Sequence, residues 1–139
     1  MLSVLGGALG VFGCLALYRA LEPDGVTSWL AVVLVVTSPL YWITAARPLS
    51  DAAGLAAALA VQALIATAPS ANALALAAGY AGFALGLRSQ IVWLTLPLLV
   101  LAIARLPRLD RWGGLVRAAA AYVAGALVWV VPLLIVSGP

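Results

Sequence analysis

Long uninterrupted apolar runs are the feature that most restricts how this chain can fold. Six such runs follow one another, separated by short connectors that contain Pro, Gly and charged residues. Only 8% of the residues are charged and 66% are hydrophobic, with a mean hydropathy of +1.20. A soluble domain carries about 25% charged residues to cover its surface, so this chain would expose continuous apolar surface to water. The sequence therefore predicts an all-α integral membrane protein, a polytopic bundle of about six transmembrane helices forming a single domain over residues 1–139.

The lengths of the runs suit helices that cross or enter a bilayer. The runs cover residues 2–21, 29–46, 52–67, 73–87, 91–104 and 115–136. At 1.5 Å per residue the fifth run extends only about 21 Å, whereas a hydrocarbon core is about 30 Å thick. This run is therefore extended through residues 88–90, lies in a thinned bilayer, or is re-entrant. Two small-xxx-small pairs, Gly6/Gly10 and Gly82/Gly86, predict close approach between helices.

The few charged residues exclude several classes of function. The net charge of +3 comes from seven arginines and four acidic residues, and the chain has no Lys and no His. Because the arginines are spread among apolar runs and form no patch, we expect no nucleic-acid partner. The lack of His removes His-based catalysis and the commonest metal ligand. The single Cys14 excludes an internal disulfide and a Cys-cluster metal site.

The arginines predict the orientation of the bundle, because cytoplasmic loops are enriched in them. Six spans with an outer N-terminus place five arginines inside and two outside, which this rule favours. The outer two are Arg47 and Arg88, and the inner five are Arg19, Arg105, Arg108, Arg111 and Arg117. If residues 73–104 form one bent helix, five spans and an inner N-terminus satisfy the same rule. We prefer six spans, because about 32 helical residues would extend about 48 Å, well beyond the hydrocarbon.

The polar connector at residues 47–51 is the first candidate site. Asp51 precedes the third run at the membrane surface, where a carboxylate can cap the helix, bind a cation or face a phosphate through a metal ion. The alternative interpretation is a capped loop with an anchoring Arg47, since Ser and Asp caps are common. The nearby Trp42 either lines a sugar site or belongs to an interfacial aromatic belt.

The turn at Arg88, Ser89 and Gln90 is the second candidate site. A planar guanidinium suits phosphate recognition because it donates to two oxygens at once. The alternative is an interfacial Arg88 that reaches the lipid headgroups. In the preferred topology this turn lies on the same outer face as Asp51, and the predicted site depends on that co-location. The arginine-rich connector at residues 105–117 is expected instead to set topology and touch anionic lipid.

Two stretches carry a family resemblance. SPLYWITAARPLSD at residues 38–51, followed by an Ala/Leu helix and then GLRSQ at residues 86–90, resembles bacterial polytopic C-type membrane glycosyltransferases. These enzymes are related to protein mannosyltransferases and aminoarabinose transferases. The resemblance extends over nearly the whole chain through short motifs. It implies transfer of a sugar (a hexosyltransferase-type reaction) from a polyprenyl-phosphate donor to an acceptor, on the outer face of the bacterial inner membrane.

The resemblance also implies roles for individual residues. Asp51 matches the second outer-loop acidic residue of the family, which helps organise a metal or the donor phosphate, and Arg88 matches a basic position near that phosphate. We therefore predict Asp51 as the catalytic and metal-ligating residue. The predicted substrate-binding residues are Arg88, Gln90, Arg47 and Trp42. Whether a divalent cation takes part stays open, and membrane lipid and the polyprenyl-phosphate sugar are the expected partners.

The chain departs from the family in one respect that affects activity. No acidic residue precedes Glu22, which falls on the inner side, so the family's first acidic outer loop is missing, as is its C-terminal periplasmic portion. We therefore expect this sequence to be a fragment of a longer enzyme. A transporter or permease fragment is the main alternative, because Pro39 and Pro97 would suit interrupted spans. A structural membrane subunit is the third, favoured if the small-residue faces dock a partner.

We predict that the purified chain alone does not transfer sugar from a polyprenyl-phosphate donor, because the first acidic loop is missing. Measured transfer by this chain would contradict the prediction.

In a longer version that contains the missing loop, Asp51→Asn and Arg88→Ala should each lower donor turnover, since they remove the carboxylate and the phosphate-binding cation. Normal turnover in both variants would remove the site assignment.

Overall fold

Helices make up almost all of the described chain. The computed structural model describes residues 2–22, 24–46 and 51–137, and for residues 2–3, 44–46 and 51 it describes the backbone alone. Within these ranges there are seven α-helices and no strand. They are α1 (Leu2–Leu21), α2 (Gly25–Thr37), α3 (Pro39–Ala46), α4 (Asp51–Thr67), α5 (Ala71–Ala84), α6 (Ile91–Arg105) and α7 (Arg108–Ser137). The all-α prediction is confirmed for these residues.

The predicted second run is two helices rather than one. Ser38 is extended, with φ −68° and ψ 121°, and it separates α2 from α3. The cause is Pro39, which has no N–H to donate and disfavours the α conformation in the residue before it. The last helix also differs from its prediction, since it begins at Arg108, directly after Pro107, and so includes most of the basic connector. Asp110 in its first turn is favourable to the helix dipole there.

The helix lengths do not support six full membrane spans. By length and composition, two of the described helices can cross a bilayer, α1 over Val4–Leu21 and α7 over Arg108–Ser137. The other long apolar helices, α2, α4, α5 and α6, have 13, 17, 14 and 15 residues. At 1.5 Å per residue these extend about 20–26 Å, short of a hydrocarbon core of about 30 Å.

Helices α5 and α7 form the most extensive helix pair, and glycines let them touch. A Cβ atom on Gly82 would lie 2.0 Å from the Tyr122 carbonyl oxygen, and one on Gly125 would lie 2.1 Å from the Gly79 carbonyl oxygen. No side chain fits there, so the two backbones are in direct contact. At its start α7 touches Ala71 through Gly114. The two helices therefore run parallel, and the close approach predicted at Gly82 is confirmed.

Helices α1 and α4 form a second parallel pair. A Cβ on Gly6 would lie 2.9 Å from the Ala53 backbone nitrogen, and one on Gly13 would lie 3.0 Å from Leu59 Cβ. Gly10 faces the Tyr41 ring of α3, whose hydroxyl donates to the Gly7 carbonyl. The small residues predicted in the first run therefore serve contacts inside the bundle.

The core lies among α4, α5 and α6, and apolar side chains also cover the outside. Val61, Ala78 and Ile91 are buried at the centre, where Ala118 of α7 joins them. Outward-facing Leu109 is 98% exposed, and many other large apolar side chains are at least 40% exposed. Exposed apolar surface on this scale marks a site of contact with a membrane or another protein.

The helix directions separate the arginines. Arg19 lies in the last turn of α1 and Arg105 is the last residue of α6, at the level where α7 begins. Arg117 Nη1 donates to Asn72 Oδ1 at 2.5 Å, which ties α7 to the first turn of α5. Together with Arg108 and Arg111 these residues form one end of the bundle, hereafter the arginine-rich end. Arg88 lies at the opposite end, since α5 runs away from Asn72, and Arg47 lies outside the described residues.

We predict that Gly82→Ala destabilises the bundle by about 3 kcal/mol, because the new methyl group meets the α7 backbone and forces the helices apart. Gly25→Ala is the matched control, since a Cβ there has nothing within 4 Å, and it should be neutral or stabilising by up to about 1 kcal/mol. Denaturation of both variants in detergent micelles measures the difference. Equal stability of the two would contradict the helix contact.

We predict a pH-dependent cap on α2. Thr27 Oγ1 donates to Asp24 Oδ2 at 2.5 Å, and this bond, with those from the Thr27 and Val26 backbone N–H groups, lowers the pKa of the carboxyl. The cap therefore stabilises the helix above the unfolded-state pKa of about 3.9 and loses its effect as pH falls through the lower folded value. Thr27→Val should raise the pKa of Asp24 in an NMR titration, whereas Thr37→Val should leave it unchanged.

Candidate functional site

The candidate site is built on the tight turn between α5 and α6. After Ala84 the Leu87 and Arg88 N–H groups both donate to the Ala84 carbonyl, at 3.0 and 3.2 Å, and the Ile91 N–H then donates to the Arg88 carbonyl at 3.1 Å. Residues 85–90 thus reverse the chain within six positions. Gly86 permits this, because its missing side chain leaves room for the Trp129 ring of α7.

Arg88 lies across the first turns of α4. A Cβ on Gly54 would be 3.2 Å from both Cβ and Cδ of Arg88, so the arginine side chain occupies the space that a larger residue would fill. Gly54 is three residues after Asp51, the first residue of α4. The turn and the start of α4 therefore lie at the same end of the bundle, as the predicted arrangement requires.

Gln90 holds the guanidinium. Arg88 Nε donates to Gln90 Oε1 at 2.5 Å, and Gln90 makes no cap bond to α6. The amide thus orients the arginine, whose side chain is only half buried, while Ser89 and Gln90 are exposed. The side chains of two predicted substrate-binding residues, Arg88 and Gln90, are therefore in direct contact.

The other predicted residues divide into two groups. Arg47 and the side chain of Asp51 lie outside the described residues, so the predicted catalytic and metal roles of Asp51 have no geometry here. Trp42 lies on α3, where its indole N–H donates to the Val36 carbonyl at 2.6 Å and its ring meets Tyr41 edge-on. This bond satisfies a carbonyl at the end of α2, next to the break at Ser38. In the structure the indole N–H of Trp42 therefore binds the backbone of this chain.

The described residues give a divalent cation no ligand set. Among them no three side chains of His, Cys, Asp or Glu come together. Glu22, Asp24 and Asp110 belong to the arginine-rich end, away from the Arg88 turn. The remaining acidic side chain, Asp51, is not among the described ones.

An apolar groove adjoins the Arg88 turn. It lies among α1, α4 and α5 and encloses about 840 Å³. Its lining begins at Leu87, next to Arg88, and continues to Thr67 at the far end of α4; bulky residues on its walls are Leu5, Leu9, Phe12, Leu64, Tyr80 and Phe83. Alanines of α4, including Ala53, Ala56 and Ala60, form much of the remaining lining. A groove of this composition suits a hydrocarbon chain.

Sequence inspection missed the groove and the glycine of α4 against which the arginine side chain packs. The signal for the groove was the Ala-rich third run, whose small side chains leave space beside larger neighbours. The signal for the arginine was Gly54, the one glycine in α4. The indole N–H of Trp129 donates to the Phe83 carbonyl at 2.8 Å and so joins α7 to the end of α5.

No protein-family model, curated protein or solved structure matches this chain.

Proposed function

We propose that this chain is the membrane-embedded part of a bacterial inner-membrane glycosyltransferase that uses a polyprenyl-phosphate sugar as donor. The observation that carries the proposal is the position of Arg88, which packs on the first turns of α4 at the head of an apolar groove. The sequence resemblance at residues 38–51 and 86–90 supplies the reaction class.

The membrane location is supported by the surface and by the arrangement of charges. Large apolar side chains cover the outside, where lipid is the favourable solvent and water is not. Five arginines lie at one end of the bundle, as expected of a cytoplasmic face. In this proposal α1 and α7 cross the bilayer and the shorter helices pack against them, so the protein is multi-pass although six full spans are not supported.

The donor chemistry is supported by the neighbouring polar and apolar parts of the site. A polyprenyl-phosphate sugar has an anionic phosphate joined to a long hydrocarbon chain. Arg88 donates to the phosphate oxygens, and the groove beginning at Leu87 takes the first part of the chain. Along α4 the groove extends from Ala53 to Thr67, about 21 Å at 1.5 Å per residue. Both parts of the donor therefore have a suitable surface within one site.

The proposed reaction uses these positions. The acceptor hydroxyl attacks the anomeric carbon, the bond from that carbon to the phosphate oxygen breaks, and the phosphate leaves with the electron pair. Arg88, oriented by Gln90, stabilises the negative charge that develops on the leaving phosphate. By the family resemblance, Asp51 accepts the hydroxyl proton or organises the donor phosphate.

The alternatives have less support. A structural subunit would use its glycine faces to dock a partner, but Gly6, Gly82 and Gly125 pack against helices of this chain. A transporter fragment is consistent with the break between α2 and α3 at Ser38. Among the helices that the structure describes, Pro97 and Pro132 cause no second break of this kind.

We predict that the chain binds a polyprenyl-phosphate sugar in detergent and that Arg88→Ala weakens the affinity about 10- to 100-fold, the loss expected for one charge-assisted hydrogen bond. Arg88→Lys should retain part of the affinity because it keeps the charge. Arg105→Ala is the matched control, since it removes one arginine from the opposite end. Equal binding by Arg88→Ala and the unaltered chain, or an equal loss in Arg105→Ala, would contradict the proposed site.

A further inference from the structure

The position of α7 in a bilayer is fixed by its charges. Arg108, Arg111 and Arg117 lie in its first ten residues, and residues 118–137 contain no charged side chain. These twenty residues extend about 30 Å, the thickness of a hydrocarbon core. The last turns are apolar and exposed, and Val136 is 87% exposed. The apolar part therefore spans the core, with Arg117 at one surface and Ser137 at or near the other.

The Arg88 turn meets α7 well before that second surface. Trp129 binds the Phe83 carbonyl and fills the space beside Gly86, so the turn lies at the level of Trp129. Ser137 is eight residues further along the helix, about 12 Å at 1.5 Å per residue. The turn is therefore about that far below the surface.

Helix α1 gives an independent estimate of the same depth. Gly6 packs on Ala53, in the same first turn of α4 as Gly54, against which Arg88 lies. Arg19 follows Gly6 by thirteen residues, which places this level about 20 Å above Arg19. With Arg19 at the membrane surface of the arginine-rich end, a hydrocarbon core of about 30 Å leaves about 10 Å of core above the Arg88 turn.

Polar groups at this depth need water or protein around them. Residues 85–90 lie outside the regular helices, and irregular backbone is tolerated inside a bilayer only where protein buries it or a water-filled cavity solvates it. Here Ser89 and Gln90 are exposed, so protein does not bury them. Helix α2 ends at a similar height, but there protein satisfies the backbone, because the Val36 carbonyl accepts a hydrogen bond from the Trp42 indole N–H.

We propose that residues 85–90 form the floor of a water-filled recess that opens on the face opposite the arginine-rich end and reaches about 10–12 Å into the bilayer. The recess admits water and small hydrophilic groups to Arg88, although lipid surrounds the bundle at that level. This inference depends on the membrane location in the proposed function and is independent of glycosyl transfer, so a failed donor-binding assay leaves it intact.

Single-cysteine variants in lipid vesicles test the recess. Cys14→Ala supplies the background, and the variants Ser89→Cys, Ser137→Cys and Val128→Cys sample the floor, the surface and the lipid-facing side at the depth of the floor. Val128 is 55% exposed and directly precedes Trp129, which makes it the depth-matched control. Each variant is treated on both sides of the membrane with a small cationic thiosulfonate, and separately with a polyethylene-glycol maleimide too large to enter a narrow recess.

The recess predicts a distinct pattern for each variant. Ser137→Cys should react with both reagents, Val128→Cys with neither, and Ser89→Cys with the small reagent only, at a rate within about tenfold of Ser137→Cys. Equal reaction of Ser89→Cys and Ser137→Cys with the large reagent would place the turn at the surface and overturn the proposal. An unreactive Ser89→Cys would overturn the proposal, because it would show that water does not reach the turn. A reactive Val128→Cys would overturn it as well, because it would show that lipid does not surround the bundle at that depth. Gln90→Cys gives a second measurement if Ser89→Cys does not fold.

Discussion

Direct backbone contact between α5 and α7 is the constraint on which the rest of the structure depends. Gly79, Gly82 and Gly125 remove the side chains that would hold these helices apart. Once the backbones touch, the register between the two helices is fixed, and the end of α5 meets α7 at Trp129. Close packing of this kind is a main source of helix association wherever helices are surrounded by lipid. The height of the Arg88 turn follows from this register.

A further glycine, Gly54 of α4, shapes the candidate site at this turn. Gly54 leaves space on α4 for the alkyl part of Arg88, so the guanidinium is held by packing and by Gln90 at the head of the apolar groove. Inside a bilayer a charged group at this level would be costly unless it served function or were solvated. The same arginine at the opposite end, among Arg105, Arg108 and Arg117, would be an ordinary topology signal.

Several elements were predictable from the chain because their causes are local. The apolar runs at residues 2–21, 52–67 and 91–104 correspond closely to α1, α4 and α6, since Pro, Gly and charged residues bound them. Local chemistry also explains the differences. Pro39 breaks the second run at Ser38, and α7 begins at Arg108 because a basic, Asp-containing segment after Pro107 is compatible with helix. The segment with Arg47 lies outside the described residues, so that part of the predicted site stays a prediction.

The sequence by itself determined the helical class, the strongly apolar composition and the separation of the arginines, because hydropathy, period and charge are properties of single segments. Only the tertiary structure decided that Arg88 packs on Gly54, that an apolar groove opens beside it, and that this turn stops short of the end of α7. These features depend on which helices pair and in what register. Pairing is set by complementary surfaces from distant segments, such as Gly82 against Tyr122, and no single run of residues carries that information.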